Sequence, residues 1–212
     1  MEETKRRRFI IRAVLEGEVD VQDAPVPQYI AYWDLRESLT DQISGYTFAT
    51  TNGNGTVVQT SAGLSLSAGN VDFTGHAETE AVFARGQKIT IVFGDIVANL
   101  GSSGGNHGPI YHFGNGQLVG QPLSVYWRGS SDKFSCYSSG WHDDWFESVA
   151  PNYFDHKTLV IDTNENGGAV LTVDGTAFGS VPDGTVPSVF RIYFGRTSQS
   201  FHDVVIEKVI VE

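Results

Sequence analysis

The stretch from Lys157 to Pro182, KTLVIDTNENGGAVLTVDGTAFGSVP, decides the fold class. Three short apolar runs, Leu159 to Ile161, Ala169 to Val173 and Ala177 to Val181, are cut by two turn signals. The first, Asn164-Glu165-Asn166-Gly167-Gly168, offers Asn and Gly for backbone angles that other residues resist. The second, Asp174-Gly175, has the composition of a two-residue hairpin turn. Between them Val170, Thr172 and Asp174 alternate with Leu171 and Val173, the period of a strand with one buried face. The stretch reads as a β-meander.

The same rhythm runs outward from it. Tyr29 to Leu35, Tyr46 to Ala49, Thr56 to Gln59 and Gly63 to Ser67 read as strands, with Val71 to Thr74 as a continuation. Lys88 to Ile96 is the strongest run and is expected at the centre of a sheet. Pro109 to Gly114, Leu123 to Arg128, Lys133 to Ser138, Val189 to Gly195 and Val204 to Val211 complete the set. Ala77 to Ala84 fits a strand or a helical turn equally well. Ser102 to Gly108 reads as a flexible glycine-rich loop, and Trp141 to Tyr153 as an aromatic and acidic loop. Short strands at this spacing predict an all-β, two-sheet antiparallel jelly-roll sandwich, and the absence of a long repeat excludes a propeller or solenoid.

Composition narrows the function classes. A chain of 212 residues suits one all-β domain, and 24 glycines with 4 Trp, 8 Tyr and 13 Phe favour strands and tight turns. No apolar run is long enough for a membrane-spanning helix, and the N-terminus lacks the apolar core of a secretion signal. The single cysteine, Cys136, excludes an internal disulfide framework and reads as a small buried hydrophobe. A net charge of −11 opposes general nucleic-acid binding by repelling phosphate.

Charge is uneven along the chain. Residues 1–28 form an arm in which Lys5, Arg6, Arg7, Arg8 and Arg12 surround the strand-like run Phe9-Ile10-Ile11-Arg12-Ala13-Val14-Leu15. The Asp23-Ala24-Pro25-Val26-Pro27 stretch then favours an extended linker. An apolar strand on an arm needs a partner for its backbone edge, and guanidinium groups pair well with carboxylates. Arg6, Arg7, Arg8, Phe9, Ile10 and Ile11 are therefore expected to be an assembly element, and residues 29–212 the compact sandwich.

Several stretches in this order resemble the concanavalin A-like lectin/glucanase superfamily in its laminin-G-like branch. They are Tyr32-Trp33-Asp34-Leu35 with Ser38-Leu39-Thr40-Asp41, Gly63-Leu64-Ser65-Leu66, Lys88-Ile89-Thr90-Ile91, Leu171-Thr172-Val173-Asp174-Gly175 and Phe201-His202-Asp203-Val204-Val205-Ile206. The glycine- and serine-rich sandwich with a basic arm is similar to domains of bacteriophage tail and capsid-surface proteins. The resemblance implies a jelly roll with a glycan or protein site on its loops or concave face. It also implies a place on the virion surface, other virion proteins as partners through the arm, and a homo-oligomer or larger assembly. It does not imply catalysis. The superfamily's glucanases carry a Glu-x-Asp-x-x-Glu strand, whereas Glu78-Thr79-Glu80 lacks the middle Asp and the third acid. No catalytic residue, cofactor or membrane contact is expected.

Two local groups carry binding chemistry. Trp141-His142-Asp143-Asp144-Trp145-Phe146 combines rings that stack on sugars with carboxylates that accept sugar hydroxyls. The competing role for its tryptophans is to plug one end of the sandwich. Asn106 and His107 lie in the glycine-rich stretch, where a loop would expose them. The other histidines, His112 and His156 among them, show no metal-ligand spacing, and Asp143-Asp144 lacks the Asp-x-Asp pattern of a calcium loop.

Overall fold

The structure, a computed structural model, describes residues 29–67, 75–97, 106–114, 123–128, 133–137, 141–142, 144–150, 152–195 and 203–212. The arm, Val71 to Thr74 and Asp143 lie outside the described residues. Within them the chain is all strand and turn. The strands are β1 (Ala31–Asp34), β2 (Phe48–Thr51), β3 (Thr56–Thr60), β4 (Gly63–Ser67), β5 (His76–Thr79), β6 (Phe83–Ala84), β7 (Lys88–Val97) and β8 (Asn106–Gly114). They continue with β9 (Leu123–Arg128), β10 (Lys133–Tyr137), β11 (Trp141–His142), β12 (Thr158–Thr163), β13 (Ala169–Val173), β14 (Thr176–Val181), β15 (Val189–Gly195) and β16 (Asp203–Val211).

Every described pairing is antiparallel, and the strands form two sheets. The first has the order β14-β13-β12-β7-β16-β4-β3, with β1 also paired to β16. The second has the order β11-β10-β9-β8-β15-β5-β2, with β6 also paired to β15. The expected meander is β12-β13-β14. Its last turn places Asp174 at φ 48° and Gly175 at φ 76°, the doubly left-handed geometry that Asp-Gly tolerates. Along β13, Ala169, Leu171 and Val173 are buried and Val170 is exposed, as the alternation requires. Lys88–Val97 is central, between β12 and β16.

One open reading is decided and three expectations are corrected. Ala77 to Ala84, which fits a strand or a helical turn, takes the strand form in β5 and β6. The strand at Pro109 begins earlier, at Asn106, because β9 supplies partners as far as Arg128. Register shifts on both sides of Pro109 accommodate a residue with no N–H for the ladder. Trp141–His142 is a strand against Cys136 and Tyr137, not loop. The strand expected from Tyr46 starts at Phe48, since the Tyr46 carbonyl instead accepts hydrogen bonds from Asp41 N and Trp33 Nε1.

The core between the sheets has a ring cluster at each end and aliphatic side chains between. One cluster joins Trp33 to Phe48 and Phe83, with ring centroids 5.0 and 6.2 Å apart. The other surrounds Phe178, which meets Phe134, Phe146, Tyr153 and Phe154 at 5.1–5.9 Å. Cys136 is fully buried in this core.

The open edge of β1 is blunted by one carboxylate. Asp41, 4% exposed, accepts hydrogen bonds from the backbone N–H groups of Tyr32, Ile43 and Ser44. Removing it orphans the Tyr32 donor on the β1 edge together with two donors of the turn at Ile43 and Ser44. Asp41→Ala is expected to cost about 2–3 kcal/mol in urea unfolding, the range for hydrogen bonds to a charged group.

A carboxylate on β1 itself makes stability depend on pH. Asp34 receives a two-pronged contact from Arg36, at 2.8 Å from Nε and 2.7 Å from Nη2, and Lys208 lies 3.7 Å away. The Arg36 hydrogen bonds hold its pKa below the ordinary 3.8. A depressed carboxylate pKa stabilises the fold fully above the unfolded value and loses that contribution as pH falls through the folded one. Melting temperature should therefore fall below about pH 4 more steeply in the parent than in Asp34→Asn.

Candidate functional site

The aromatic segment after β11 closes one margin of the sandwich. Trp145 O accepts from Ser180 N at 3.0 Å, Glu147 N donates to Phe178 O at 2.8 Å, and Phe146 bridges to Gly179. The segment thus leaves the second sheet at β11 and covers β14, the edge of the first. Gly179 permits this, because a Cβ there would sit 2.4 Å from both Trp145 O and Phe146 Cδ1. Trp145 is half-buried against the core, and its indole stacks on the His142 ring at 3.8 Å and 7°. Of the residues singled out here from sequence, the structure brings His142 and Trp145 together and leaves Asp144 exposed. Trp141 pairs with Tyr137 across β10–β11, and Asn106 and His107 pair with Arg128 and Trp127 across β8–β9. The segment and the start of β8 are separate places in the sheet.

The face of the second sheet that looks away from the core has a different character. Ile192 and Phe194 belong to the core, so Tyr193 between them projects from the opposite face. It is nevertheless only 1% exposed. Ser135 is placed in the same way between the core residues Phe134 and Cys136 and has no exposed surface. Its hydroxyl finds no hydrogen-bond partner among the described residues. A polar atom held away from water with no partner costs free energy and calls for an explanation. Glu78, the register partner of Tyr193, meets Arg191 at 4.0 Å on this face. Neither Tyr193 nor Ser135 stands out in sequence, because each lies inside a run that reads as core strand.

A third group lies at the rim of the first sheet. Asp95 on β7 meets His156 with Nε2 and Oδ1 2.9 Å apart, and Asp155 accepts from Ile96 N at 2.7 Å. The ligand atoms of Asp95, Asp155 and His156 lie within 4.8 Å of one another. His156 reaches this position from a left-handed backbone, φ 51°. Sequence spacing conceals the group, because the β7–β12 pairing joins residues far apart in the chain. Asp95 and His156 are largely exposed, which suits an ion pair when the imidazole is protonated.

No described protein family matches the chain, and no curated protein sequence does. Solved structures do resemble it. The metal-free carbohydrate recognition domain of Emp46p covers 86% of this chain and 95% of its own, at 15% identity and a TM-score of 0.53. The metal-free exoplasmic/lumenal domain of VIP36 covers 85% and 90%, at 12% identity and 0.52. The apo Crh5 transglycosylase covers 85% and 82%, at 13% identity and 0.53. At such identities the likeness establishes the fold alone, a two-sheet antiparallel β-sandwich of the jelly-roll kind. It spans recognition domains and an enzyme alike, so the chemistry must be argued from this chain's own residues.

Proposed function

We propose that the chain is a non-enzymatic glycan-binding module carried on a phage particle, with residues 1–28 as its attachment arm. The observation that carries the glycan reading is the outer face of the second sheet. A sheet face turned to water ordinarily exposes its side chains. Here a tyrosine, an unpartnered serine hydroxyl and a Glu–Arg pair share that face, the first two withdrawn from solvent. Aromatic surface with a few fixed polar groups is the composition that holds a sugar.

The non-enzymatic reading rests on the count of acids. Glycoside hydrolysis by the usual route needs two carboxyl groups, about 5–5.5 Å apart for retention and about 6.5–9.5 Å for inversion. The strands of the second sheet contain one carboxylate, Glu78, and Arg191 already faces it.

The phage setting rests on the sequence resemblance and the basic arm. In this reading Arg6, Arg7 and Arg8 pair with acidic neighbours, Phe9, Ile10 and Ile11 add a strand to a partner, and the sandwich is displayed at the virion surface as part of an oligomer. A chain starting at Tyr29 should lose the solution mass of the assembled full-length protein. If both are monomers, the reading becomes a free-standing lectin module.

The decisive experiment for activity is a glycan array with the full-length chain, followed by incubation with the retained glycans. Retention without release of reducing ends is the expected result. Release of reducing ends overturns the non-enzymatic reading, and failure to retain any glycan overturns the binding reading.

A further inference from the structure

Among the described residues Asn precedes Gly at Asn52-Gly53, Asn54-Gly55 and Asn166-Gly167. The pairing is chemically labile. Glycine has no Cβ, so its amide nitrogen can approach the side-chain amide carbon of the asparagine before it. All three asparagines are exposed, so access alone would make the three sites equal. Their glycine nitrogens set them apart.

Gly55 N donates to Asn52 O, and Gly167 N donates to Asn164 O, each at 3.0 Å. Gly167 is also buried, and a Cβ there would lie 2.6 Å from Val186 O. Gly53 is exposed, and its N–H has no acceptor among the described residues. The turn needs this glycine, because residue 53 stands at φ 57°. On the other side of the labile pair, Asn52 Oδ1 accepts from Val57 N at 2.8 Å. That donor draws electron density from the amide carbon. It also stabilises the oxyanion formed when a nitrogen adds there, as backbone N–H groups do in acyl transfer. A free nucleophile therefore meets a polarised carbonyl at Asn52-Gly53 and at neither of the other two pairs.

We infer that Asn52 is a site of spontaneous deamidation, modified ahead of Asn54 and Asn166. Gly53 N gives its proton to solvent base and bonds to Asn52 Cγ, the Cγ–Nδ2 bond breaks, and Nδ2 takes up a proton and leaves as ammonia. One water then opens the resulting succinimide at either carbonyl and leaves aspartate or isoaspartate. The net change is water in and ammonia out, with no oxidant or reductant. The site matters because Asn52 sits between β2 and β3, the end strands of the two sheets. Aspartate keeps a side-chain acceptor for Val57 N. Isoaspartate adds a methylene to the main chain and exchanges the roles of the two carbonyls, so the contacts with Val57 N and Gly55 N both lose their geometry.

The test incubates the full-length chain in warm, mildly alkaline buffer and follows each site by peptide sequencing in a mass spectrometer. Asn115-Gly116, outside the described residues, is read as its own peptide. Asn52 should gain about 1 Da roughly fivefold faster than Asn54 or Asn166, the rate cost of first breaking a glycine hydrogen bond. In urea the three rates should converge, and Asn54→Ser should leave the Asn52 rate unchanged. The chain carrying isoaspartate at residue 52, compared with unmodified chain from the same incubation, should melt about 2–4 °C lower. Asn52→Asp should melt within about 1 °C of the parent, and treatment with an isoaspartyl methyltransferase and S-adenosylmethionine should restore the melting temperature. Equal rates in the folded chain, faster reaction at Asn54 or Asn166, or no mass gain at Asn52 overturns the assignment. An isoaspartate form that melts with the parent overturns the role given to Asn52 in joining the end strands.

Discussion

Phe178→Ala is expected to destabilise the domain by about 3–5 kcal/mol, measured as a shift of the urea unfolding midpoint at unchanged slope. Phe178 is fully buried on β14, and its ring meets Phe134 from the second sheet and Phe146, Tyr153 and Phe154 from the connecting segments. Deleting it removes a large apolar surface and leaves a cavity that four rings must fill from different directions. The covering segment suffers as well, because Phe146 stacks on Phe178 while Glu147 N bonds to the Phe178 carbonyl. The effect should reach the proposed binding face, since Phe134 anchors the strand that carries Ser135. Glycan affinity of the folded fraction should fall together with stability.

Trp33→Ala should cost a similar amount, about 3–5 kcal/mol, with a different functional outcome. Trp33 is fully buried on β1 at the opposite ring cluster, against Phe48 and Phe83, and its Nε1 donates to Tyr46 O at 3.1 Å. Its loss opens a cavity under β2 and β6 and removes a hydrogen bond that ties the Asp41 turn to β1. Its ring and hydrogen-bond contacts are with Phe48 on β2, Phe83 on β6 and Tyr46, away from β9 and β10. A binding titration at a temperature where both variants remain folded should find Trp33→Ala close to the parent and Phe178→Ala weaker. The two substitutions together separate stability from the integrity of the binding face.

The fold was legible because its signals are local. Asn164 to Gly168 and Asp174-Gly175 fix two turns by backbone chemistry alone, and the alternation of β13 tells which side is buried. The start of β8 reads as loop in sequence because its glycines and Pro109 carry turn composition, while its pairing with β9 is a tertiary fact. The aromatic cluster at Trp141 to Phe146 was conspicuous in sequence, yet much of it serves packing. Trp145 spends its ring on His142 and the core, and its carbonyl on Ser180. Ser135 and Tyr193 were invisible for the converse reason. In KFSCY and VFRIYFG each reads as a strand residue, and only the two-sheet arrangement shows that it faces away from the core. The Asp95–His156 contact likewise depends on strand pairing.

The measurement that tests the central claim most directly is the affinity of Ser135→Ala for the best glycan retained by the full-length chain, alongside its thermal stability. The hydroxyl has no partner among the described residues, so its removal should leave stability unchanged or slightly higher. If the outer face of the second sheet is the glycan site, affinity should fall by about 3–10-fold, the value of one neutral hydrogen bond. Unchanged affinity in a fully folded variant would contradict the account and move the site elsewhere on the sandwich.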